Sequence, residues 1–543
     1  MKLPFVNNNV YSRPKLVGAF GGLNQNEEIT ENEFADMDNV SLEEFPIVTL
    51  RENKTKLNEL TMTESLFPPG TTIQAAIYLD GLFIIANDSC AYKGVHLPTG
   101  KNTVPPNQLH KLVRIGVYIL LFPIRLYFDT KHPELGLQPM EMHFTNFTQG
   151  SITSAKGSVF FRINSATIGQ RFAKGDSVFI QFAGLDILRE GATKVIVETG
   201  ADFIVLTGSI GEVNIPIPVN SLTVKRTVPH IDYVCENNNR IWACNNATHE
   251  VYSCKLGDFK NWQAFEQIST DSYVATIGTP ENFTGCIAHL GHVLFFKENA
   301  VHKIFGDKPN NFQIKSYENV GVKEGCYNTL VVIKETLYYV GVDGVYSYDG
   351  AIPEKISGKI EKEFKPGFSC SCAGKYRGRY YLMLNNKLFI YHPDRGLWTK
   401  HDNLFAKLLC DTGSRLLFLN GNDYQTFGGD KPSGEEKGDM TWRLESGGLK
   451  EETLSNKYIK RLMFHFFLLR DSYVDIFIKY DNDLVWDKVY TIHSTEDRSY
   501  IVPIIPRRHF KMSYKLEGKG DFKLLGISKN IETGSEVYKN GNF

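Results

Sequence analysis

A hydrophobic strand, a tight polar turn and a second hydrophobic strand recur along the chain, commonly followed by an aromatic residue beside Gly or Asp. The first copy is QAAIYLDGLFIIANDSCAYKG and the second is KLVRIGVYILLFPIRLYFDT. A short polar turn between alternating apolar residues is a hairpin signal. Seven phrases of this kind are present, with turns at Gly81, Gly116, Asn239, Gly291, Glu335, Gly378 and Ser414.

The spacing of the turns predicts how the hairpins are arranged. Gly81 and Gly116 are 35 residues apart, and from Asn239 onward the turns follow at intervals of 52, 44, 43 and 36 residues. A loose period of roughly 40 residues with several short strands per repeat is typical of a β-propeller, whose sheets pack side by side around an axis. Any meander of hairpins contains such phrases, but the regularity over five consecutive units favours a propeller of about seven blades.

The rest of the chain predicts further domains, because 543 residues exceed one compact core. The turns at Gly116 and Asn239 are 123 positions apart, so an insertion must lie between them, and alternating segments there indicate a small β-barrel or sandwich. More alternating strands follow a polar, glycine-rich linker, GGDKPSGEEKGD. We predict a mainly β protein with five parts: an N-terminal arm at 1–70, the first blades at 71–131, an inserted β-domain at 132–228, the remaining blades at 229–431 and a C-terminal β-sandwich at 432–543.

Within the arm, Gly21-Gly22 permits a tight turn, and ENEFADMDN, with Phe34 and Met37 three residues apart, predicts a short helical turn. We expect the arm to lead into the first blade. The N-terminus lacks the apolar core of a signal peptide, and the longest apolar run is interrupted by Pro123 and Arg125. These features predict folding in a cytosol without membrane insertion.

Charge and cysteine content exclude several classes of protein. The 60 basic and 61 acidic residues nearly cancel, so no global field drives non-specific nucleic-acid binding, and any DNA contact would be local or transient. The nine cysteines include no C-x-x-C pair, which argues against a disulfide framework or a zinc ribbon. We predict buried free thiols, among them Cys235, Cys244, Cys254 and the pair Cys370 and Cys372, which alternation places on one strand face.

Motifs for catalysis or metal binding are weak. No G-x-S-x-G elbow occurs, and Gly518 and Gly520 fall in a hairpin turn rather than in a nucleotide-binding loop. His289 and His292 flank a turn, where they would not share the single face of a helical metal motif. The carboxylates in YDNDLVWDK lack the glycine and the final Glu of a calcium loop, so a hairpin turn is favoured for Asp481, Asp483 and Asp487.

Two more features have a structural and a functional interpretation. HPDRGLWTK loosely matches the Asp-box turn of propeller glycosidases, but it occurs once and one residue short, so a blade turn with packed Trp398 after Asp394 and Gly396 is favoured. A basic run could meet phosphate or an acidic partner, but a solvated sheet face is favoured for Arg507, Arg508, His509, Lys511, Lys515, Lys519 and Lys523. We assign no catalytic, cofactor-binding or metal-binding residue and predict no enzymatic activity.

Four ordered phrases share a pattern with a known family. The first is Gly21-Gly22-Leu23-Asn24 with Asn39-Val40 and Arg51, and the second runs from Ile241-Trp242 through Ser253 to Leu256-Gly257-Asp258 and Trp262. The third joins Phe295-Phe296-Lys297, Gly306, Gly321 and Asp343-Gly344-Val345-Tyr346, and the fourth joins IPRRHF, KLEGKG and SKNIETGSE near the C-terminus. The chain resembles the β-propeller tail and neck proteins of tailed bacteriophages, of the nozzle, tubular tail and head-stabilisation type. The resemblance spans most of residues 18–540 outside the insert, in which Gly175-Asp176 is the one motif.

This resemblance implies a structural virion protein, a ring-forming subunit, most simply a hexamer, below the portal and adaptor. Genomic DNA would pass through its channel, and the subunit would assemble in the host cytoplasm without cofactors. Two alternatives remain open: a module that binds a host-surface glycan, and a glycan hydrolase, which needs two carboxylates roughly 5–10 Å apart.

Overall fold

The computed structural model describes residues 13–56, 72–98, 104–105, 110–401, 405–420, 423–427, 439–451, 455–469, 471–493 and 498–533. The predicted linker at 428–439 lies outside the described residues except for Asp439. Six short strands come first: β1 (Arg13–Val17), β2 (Gly22–Leu23), β3 (Glu33–Asp38), β4 (Val40–Ser41), β5 (Val48–Leu50) and β6 (Lys54–Lys56).

Two antiparallel sheets of four strands follow in the chain. The first contains β7 (Ile73–Tyr78), β8 (Leu82–Ala86), β9 (Ser89–Tyr92) and β10 (Val95–His96). The second contains β11 (Lys111–Ile115), β12 (Tyr118–Phe122), β13 (Leu126–Asp129) and β14 (Leu137–Pro139). In each sheet the strands are neighbours in chain order, which is the meander expected of a propeller blade.

An insert follows the second blade and forms one eight-stranded sheet. Because β14 completes the second blade, the strands of the insert begin at Met142 and not at residue 132. Its sheet order is β15-β22-β18-β19-β20-β17-β16-β21, and side chains from every one of these strands fill a single apolar core. Its elements are β15 (Met142–Thr145), β16 (Gly150–Ser154), β17 (Phe160–Asn164), α1 (Ile168–Arg171), β18 (Ser177–Phe182), α2 (Asp186–Arg189), β19 (Ala192–Gly200), β20 (Phe203–Thr207), β21 (Val213–Ile217) and β22 (Leu222–Arg226).

Three further four-stranded meanders follow the insert. The third blade contains β23 (Tyr233–Asn237), β24 (Arg240–Asn245), β25 (Glu250–Ser253) and β26 (Tyr273–Thr276). The fourth contains β27 (Gly285–His289), β28 (His292–Phe296), β29 (Val301–Phe305) and β30 (Gln313–Tyr317). The fifth contains β31 (Val331–Ile333), β32 (Thr336–Val340), β33 (Val345–Tyr348) and β34 (Glu354–Lys355).

The last two blades differ in how they are completed. The sixth is continuous in sequence and contains β35 (Cys370–Tyr376), β36 (Arg379–Leu384), β37 (Lys387–His392) and β38 (Leu397–His401). The seventh contains β39 (Leu408–Asp411), β40 (Leu416–Asn420) and β41 (Asp423–Phe427), and its fourth strand is β6 from the N-terminal segment. Each of the seven predicted turns lies between the first and second strands of one blade. The prediction of a mainly β propeller is therefore confirmed.

The second strand of a blade is buried on both faces, as β24 illustrates. Ile241 and Ala243 pack in one apolar cluster with the second blade, whereas Trp242 and Cys244 pack in another with the fourth blade. Successive side chains of a strand point to opposite faces, so one strand supplies two cores. Burial of each large apolar side chain contributes roughly 1.5–3 kcal/mol, which explains the nearly continuous apolar runs in the sequence.

The C-terminal residues form a β-sandwich, as predicted. Its strands are β42 (Thr441–Ser446), β43 (Lys457–Leu468), β44 (Tyr473–Tyr480), β45 (Asp487–His493), β46 (Arg498–Val502), β47 (Met512–Lys519) and β48 (Phe522–Thr533). One sheet has the order β4-β5-β48-β43-β46, with β1 also paired to β48, and the other has the order β2-β3-β42-β47-β44-β45. The two sheets pack through Phe464 on Tyr514, with ring centroids 5.5 Å apart, and Trp442 on Phe522, at 3.6 Å.

The N-terminal segment (residues 13–56) differs from its predicted role. ENEFADMDN forms β3 and not a helical turn, because Phe34 and Met37 pack in the core while the strand pairs with β42. Instead of leading into the first blade, the segment supplies five strands to the sandwich and one to the seventh blade. Propensity over nine residues was overridden by pairing with strands roughly 400 residues away.

The cysteine prediction is correct in most positions and wrong in one of those named. Cys235, Cys244, Cys254 and Cys372 are free and buried, but Cys370 is disulfide-bonded, as is Cys326. The prediction rested on the absence of a C-x-x-C pair, which excludes only a local pattern. The register shift in β35 between Cys370 and Cys372 also breaks the alternation that placed both side chains on one face.

The chain divides into two compact units. One comprises Glu59–Leu337 and Tyr348–Pro353, and the other comprises Met1–Asn58, Tyr338–Ser347 and Glu354–Phe543. Among the described residues, none of the helices is long and apolar enough to cross a bilayer.

Candidate functional site

The first of the four shared phrases, hereafter motifs, is Gly21-Gly22-Leu23-Asn24, which holds the N-terminal segment against the sixth blade. Gly22 has a φ of 78°, and a Cβ atom there would lie 2.6 Å from the carbonyl oxygen of Trp398. Leu23 is fully buried, and the Asn24 amide donates to the carboxylate of Glu33 at 2.8 Å. This close backbone approach requires glycine, so the motif is explained by packing.

Asn39 and Arg51 join the same segment to the sandwich. Arg51 is 2% exposed, and its Nε donates to Oδ1 of Asn39 at 2.8 Å. The Asn39 amide in turn donates to the carbonyl oxygen of Thr441 in β42 at 3.0 Å, and Asn39 has a φ of 58°. A buried guanidinium with partners of this kind fixes the β4–β5 hairpin in one register.

Charged side chains reinforce this joint. The ammonium of Lys400 in β38 lies 2.6 Å from Asp36 and 3.0 Å from Asp38, and Arg443 of the sandwich pairs with both carboxylates. Burial acts to lower the pKa of Lys400, but the hydrogen bond and the charge of Asp36, together with Asp38, outweigh it and raise the pKa. These two cations and two carboxylates hold the blade to the sandwich.

Two buried histidines lie beside this joint. Burial, together with the positive charges of Arg379 and Arg395, lowers the pKa of His392 to about 3. Burial and the charge of Arg51 also hold the pKa of His401 well below its usual value. Both side chains are neutral at physiological pH, and the cavity that they line, about 10 Å³, is too small for a ligand.

A second joint holds the insert to the third blade. Asp176 and Arg226 are 4% and 7% exposed, and their Oδ2 and Nη1 atoms are 2.5 Å apart. Oδ1 of Asp176 accepts from the Asn261 amide at 3.1 Å, and the Ser177 backbone N–H donates to Asn261 Oδ1 at 2.8 Å. Lys255 donates to the carbonyl oxygen of Gly175 at 3.1 Å. The Gly175-Asp176 motif is therefore part of this joint.

The second motif shapes the loop that receives the insert. Gly257 has a φ of 73°, and the Asp258 carboxylate accepts from Asn261 at 2.5 Å. Trp262 is buried and donates through Nε1 to the carbonyl oxygen of Phe259 at 2.8 Å. Buried Arg240 fastens the loop by donating to the carbonyl oxygens of Cys254, Ser269 and Asp271. The residues of the second motif therefore fix the conformation of this loop.

The histidine and aspartate candidates do not form a metal site. His289 is buried and contacts the carbonyl oxygen of Glu335 at 2.7 Å, and burial lowers its pKa and that of His292. Asp481 accepts the backbone N–H groups of Phe510 and Lys511. Within the parts of the chain that the structure describes, no group of three or more His, Cys, Asp or Glu side chains is placed to hold a metal ion.

The Asp-box candidate is a packed blade turn. Trp398 is fully buried, donates to the carbonyl oxygen of Ile356 at 3.0 Å and packs against Tyr391, with the two ring centroids 4.9 Å apart and the rings tilted by 43°. Gly396 has a φ of 63°, as a tight turn requires.

The basic run is largely neutralised by acids. Arg507 pairs with Asp483 at 2.7 Å and Lys515 pairs with Glu517 at 2.7 Å. The other pairs are Lys519 with Asp439 and Lys523 with Glu44, and His509 is fully buried. A face balanced in this way offers little attraction to phosphate.

Sequence reasoning missed Arg226, Asn261 and the whole of β17. Arg226 ends an alternating strand, where a charge is ordinarily exposed, so no local signal marks its burial. For β17 the sequence does carry a signal: Phe160, Arg162 and Asn164 alternate with the buried Phe161 and Ile163, and this alternation is typical of a strand with one exposed face.

Comparisons with known proteins give structural similarity alone. No family model matches the chain, and no curated protein is similar to it. A catalytically inactive variant of virginiamycin B lyase from Staphylococcus aureus is 11% identical with a TM-score of 0.27, covering 59% of this chain and 94% of that one. Kluyveromyces lactis Hsv2 is 9% identical with a TM-score of 0.24, covering 61% and 97%. PorZ of Porphyromonas gingivalis is 11% identical with a TM-score of 0.27, covering 86% and 70%. Similarities this low carry no functional assignment.

Proposed function

We propose that the chain is a structural virion protein of a tailed phage or prophage, a nozzle-like subunit that forms a ring around the DNA channel in the tail or neck. The observation that carries the proposal is the placement of the first two motifs. Gly22 lies against the sixth blade, Asn39 and Arg51 hold the N-terminal segment to β42 of the sandwich, and Trp262 packs in the loop whose Asn261 contacts the insert. A sequence pattern whose residues serve packing supports a role in architecture, and we assign no catalytic residue and no cofactor to it.

The sandwich offers a surface for self-association. Among the strands that the structure describes, β45 and β46 each end a sheet, so one edge of each is available to pair or pack with another chain. Beside them lie exposed apolar side chains: Leu484 is 97% exposed, Val485 73%, Ile501 54% and Ile505 88%. We propose that this edge contacts a neighbouring copy in a closed ring, most simply a hexamer, with the portal, adaptor and other tail proteins as further partners.

The test combines particles with purified protein. Mass spectrometry and immunogold labelling of purified virions should find the chain at the tail or neck, and native mass spectrometry should find a ring. Ile505→Asp should dissociate the ring, whereas Ile352→Asp, which changes a side chain 75% exposed outside the sandwich, should leave it intact. A persistent monomer that is absent from particles would refute the proposal.

A further inference from the structure

The insert has a cleft on the solvent face of its sheet, where β20, β17, β16 and β21 are neighbours. The cleft has a volume of about 440 Å³ and is lined by Phe160, Arg162, Thr153, Glu212 and Asn214 with an apolar floor that includes Val205. Strand register accounts for this set. Arg162 lies opposite both Val205 and Thr153, and Thr153 lies opposite Asn214, so one row of side chains crosses four strands.

An exposed aromatic ring stands beside this row. Phe160 is 44% exposed, whereas its neighbours on the opposite face, Phe161 and Ile163, are 1% and 0% exposed because they pack in the core of the insert. Phe160 therefore does not belong to that core. An apolar ring within a cleft that also carries a few polar groups is typical of a ligand site.

Arg162 is held in place while its terminal groups remain available. Its guanidinium lies 3.5 Å from the ring centroid of Phe203, and its Nε donates to Asn164 Oδ1 at 2.8 Å. Asn164 is held in turn by a hydrogen bond to Ser151 at 3.1 Å. Neither terminal nitrogen of Arg162 has a hydrogen-bond partner among the described residues. A fixed planar fork of this kind matches a carboxylate with two parallel hydrogen bonds.

We propose that this cleft binds an acidic saccharide. A sugar ring stacks on Phe160, its carboxylate accepts hydrogen bonds from Arg162, and its hydroxyl groups meet Thr153, Asn214 and Glu212. The backbone of β16 and β17 is already paired on both sides within the sheet, so an acidic peptide could add as a strand only at the outer edge of β21, two strands away from Arg162. This favours a saccharide, whose hydroxyl groups use side chains instead. The proposal does not rest on the virion assignment.

The full-length chain should be titrated by calorimetry with three probes: a polyuronate oligosaccharide, a neutral glucan oligomer of equal length and a hexaglutamate peptide. We expect binding of the polyuronate alone, weakened by added salt. Phe160→Ala and Arg162→Met should each weaken it on the order of tenfold or more, because each removes a charged or stacked contact. Phe147→Ala, which removes another exposed ring of the insert, 57% exposed, should leave binding unchanged.

Thermal unfolding should be the same for all three variants, since none of the substituted side chains is buried. The proposal is overturned by any of four results: no binding of the polyuronate at millimolar concentration, equal binding of the neutral glucan, equal binding of hexaglutamate, or variants that bind like the parent chain. Localisation of the chain in virions would be unaffected by such a failure, so the two proposals fail separately.

Discussion

Substitution of Gly22 by alanine tests whether the joint between the N-terminal segment and the sixth blade depends on close backbone approach. Gly22 has a φ of 78°, where an L residue is strained, and its Cβ would meet the Trp398 carbonyl oxygen at 2.6 Å and Leu42 at 3.2 Å. Gly378 provides a matched control in the same unit, because its φ is 71° and a Cβ there would meet nothing within 4 Å.

The magnitudes follow from these two environments. Alanine in the left-handed region costs about 1–2 kcal/mol, which both variants share. Overpacking against backbone adds about 1–3 kcal/mol, which Gly22→Ala alone incurs because a carbonyl oxygen of a buried strand cannot rotate away. We therefore expect Gly22→Ala to destabilise the protein by about 2–5 kcal/mol and Gly378→Ala by about 1–2 kcal/mol.

The measurement is hydrogen exchange by mass spectrometry with urea as the perturbant, which follows each module separately in a chain of several domains. Peptides covering β2 and β38 should lose protection at lower urea in Gly22→Ala than in Gly378→Ala. The insert, which belongs to the other unit, should exchange as in the parent chain. Equal effects of the two substitutions on β2 and β38 would refute this prediction, because they would show that overpacking against the Trp398 carbonyl oxygen adds no destabilisation.

Two more predictions concern buried ionisable side chains. Asp176→Asn should destabilise the insert by about 3–5 kcal/mol in urea unfolding, because it leaves the Arg226 guanidinium buried without a carboxylate. Adding Arg226→Met should recover part of this loss. If the two substitutions were fully additive in their effects on the free energy of unfolding, the prediction would be contradicted. The second concerns pH, since the pKa of His392 is about 3 in the folded chain and about 6.5 when unfolded. The unfolded state then binds more protons, so stability should fall by about 1.4 kcal/mol for each pH unit from about 6.5 toward 3. His392→Gln should flatten the pH dependence of thermal unfolding between pH 7 and 5, and an unchanged slope would exclude His392 as its source.

The propeller could be predicted from the sequence because its signals are local. A hairpin turn such as Asn238-Asn239 places two left-handed residues between two strands, and such positions favour asparagine and glycine. Each blade has a hairpin turn between its first and second strands, so the number of blades could be predicted from patterns only a few residues long. The fully buried central strands of the blades were likewise visible as apolar runs.

The N-terminal segment could not be assigned in this way. Strand β3 pairs with β42, and β6 with β41, across separations of roughly 400 residues, and no short-range pattern encodes such a partner. The joints were hidden for the same reason. Asn39 and Arg51 stand out in the sequence, but their structural role depends on Thr441 in a distant strand. The cleft on the insert needed β16, β17 and β21 to be neighbours, which the order of the chain does not reveal.

The same long-range pairing limits when the fold can become complete. Strand β1 pairs with β48, with Arg13 opposite Ile531, so β1 can pair only after β48 has been synthesised. The insert closes within residues 142–226 and can fold during synthesis, whereas the sandwich and the seventh blade both need the N-terminal segment. Pairings of high sequence separation form late, because loop-closure entropy is lost before the contacts form. Any surface that depends on the sandwich, including the edges of β45 and β46, is therefore built only after β48 has been synthesised, so the self-association that we propose would wait until each copy has folded.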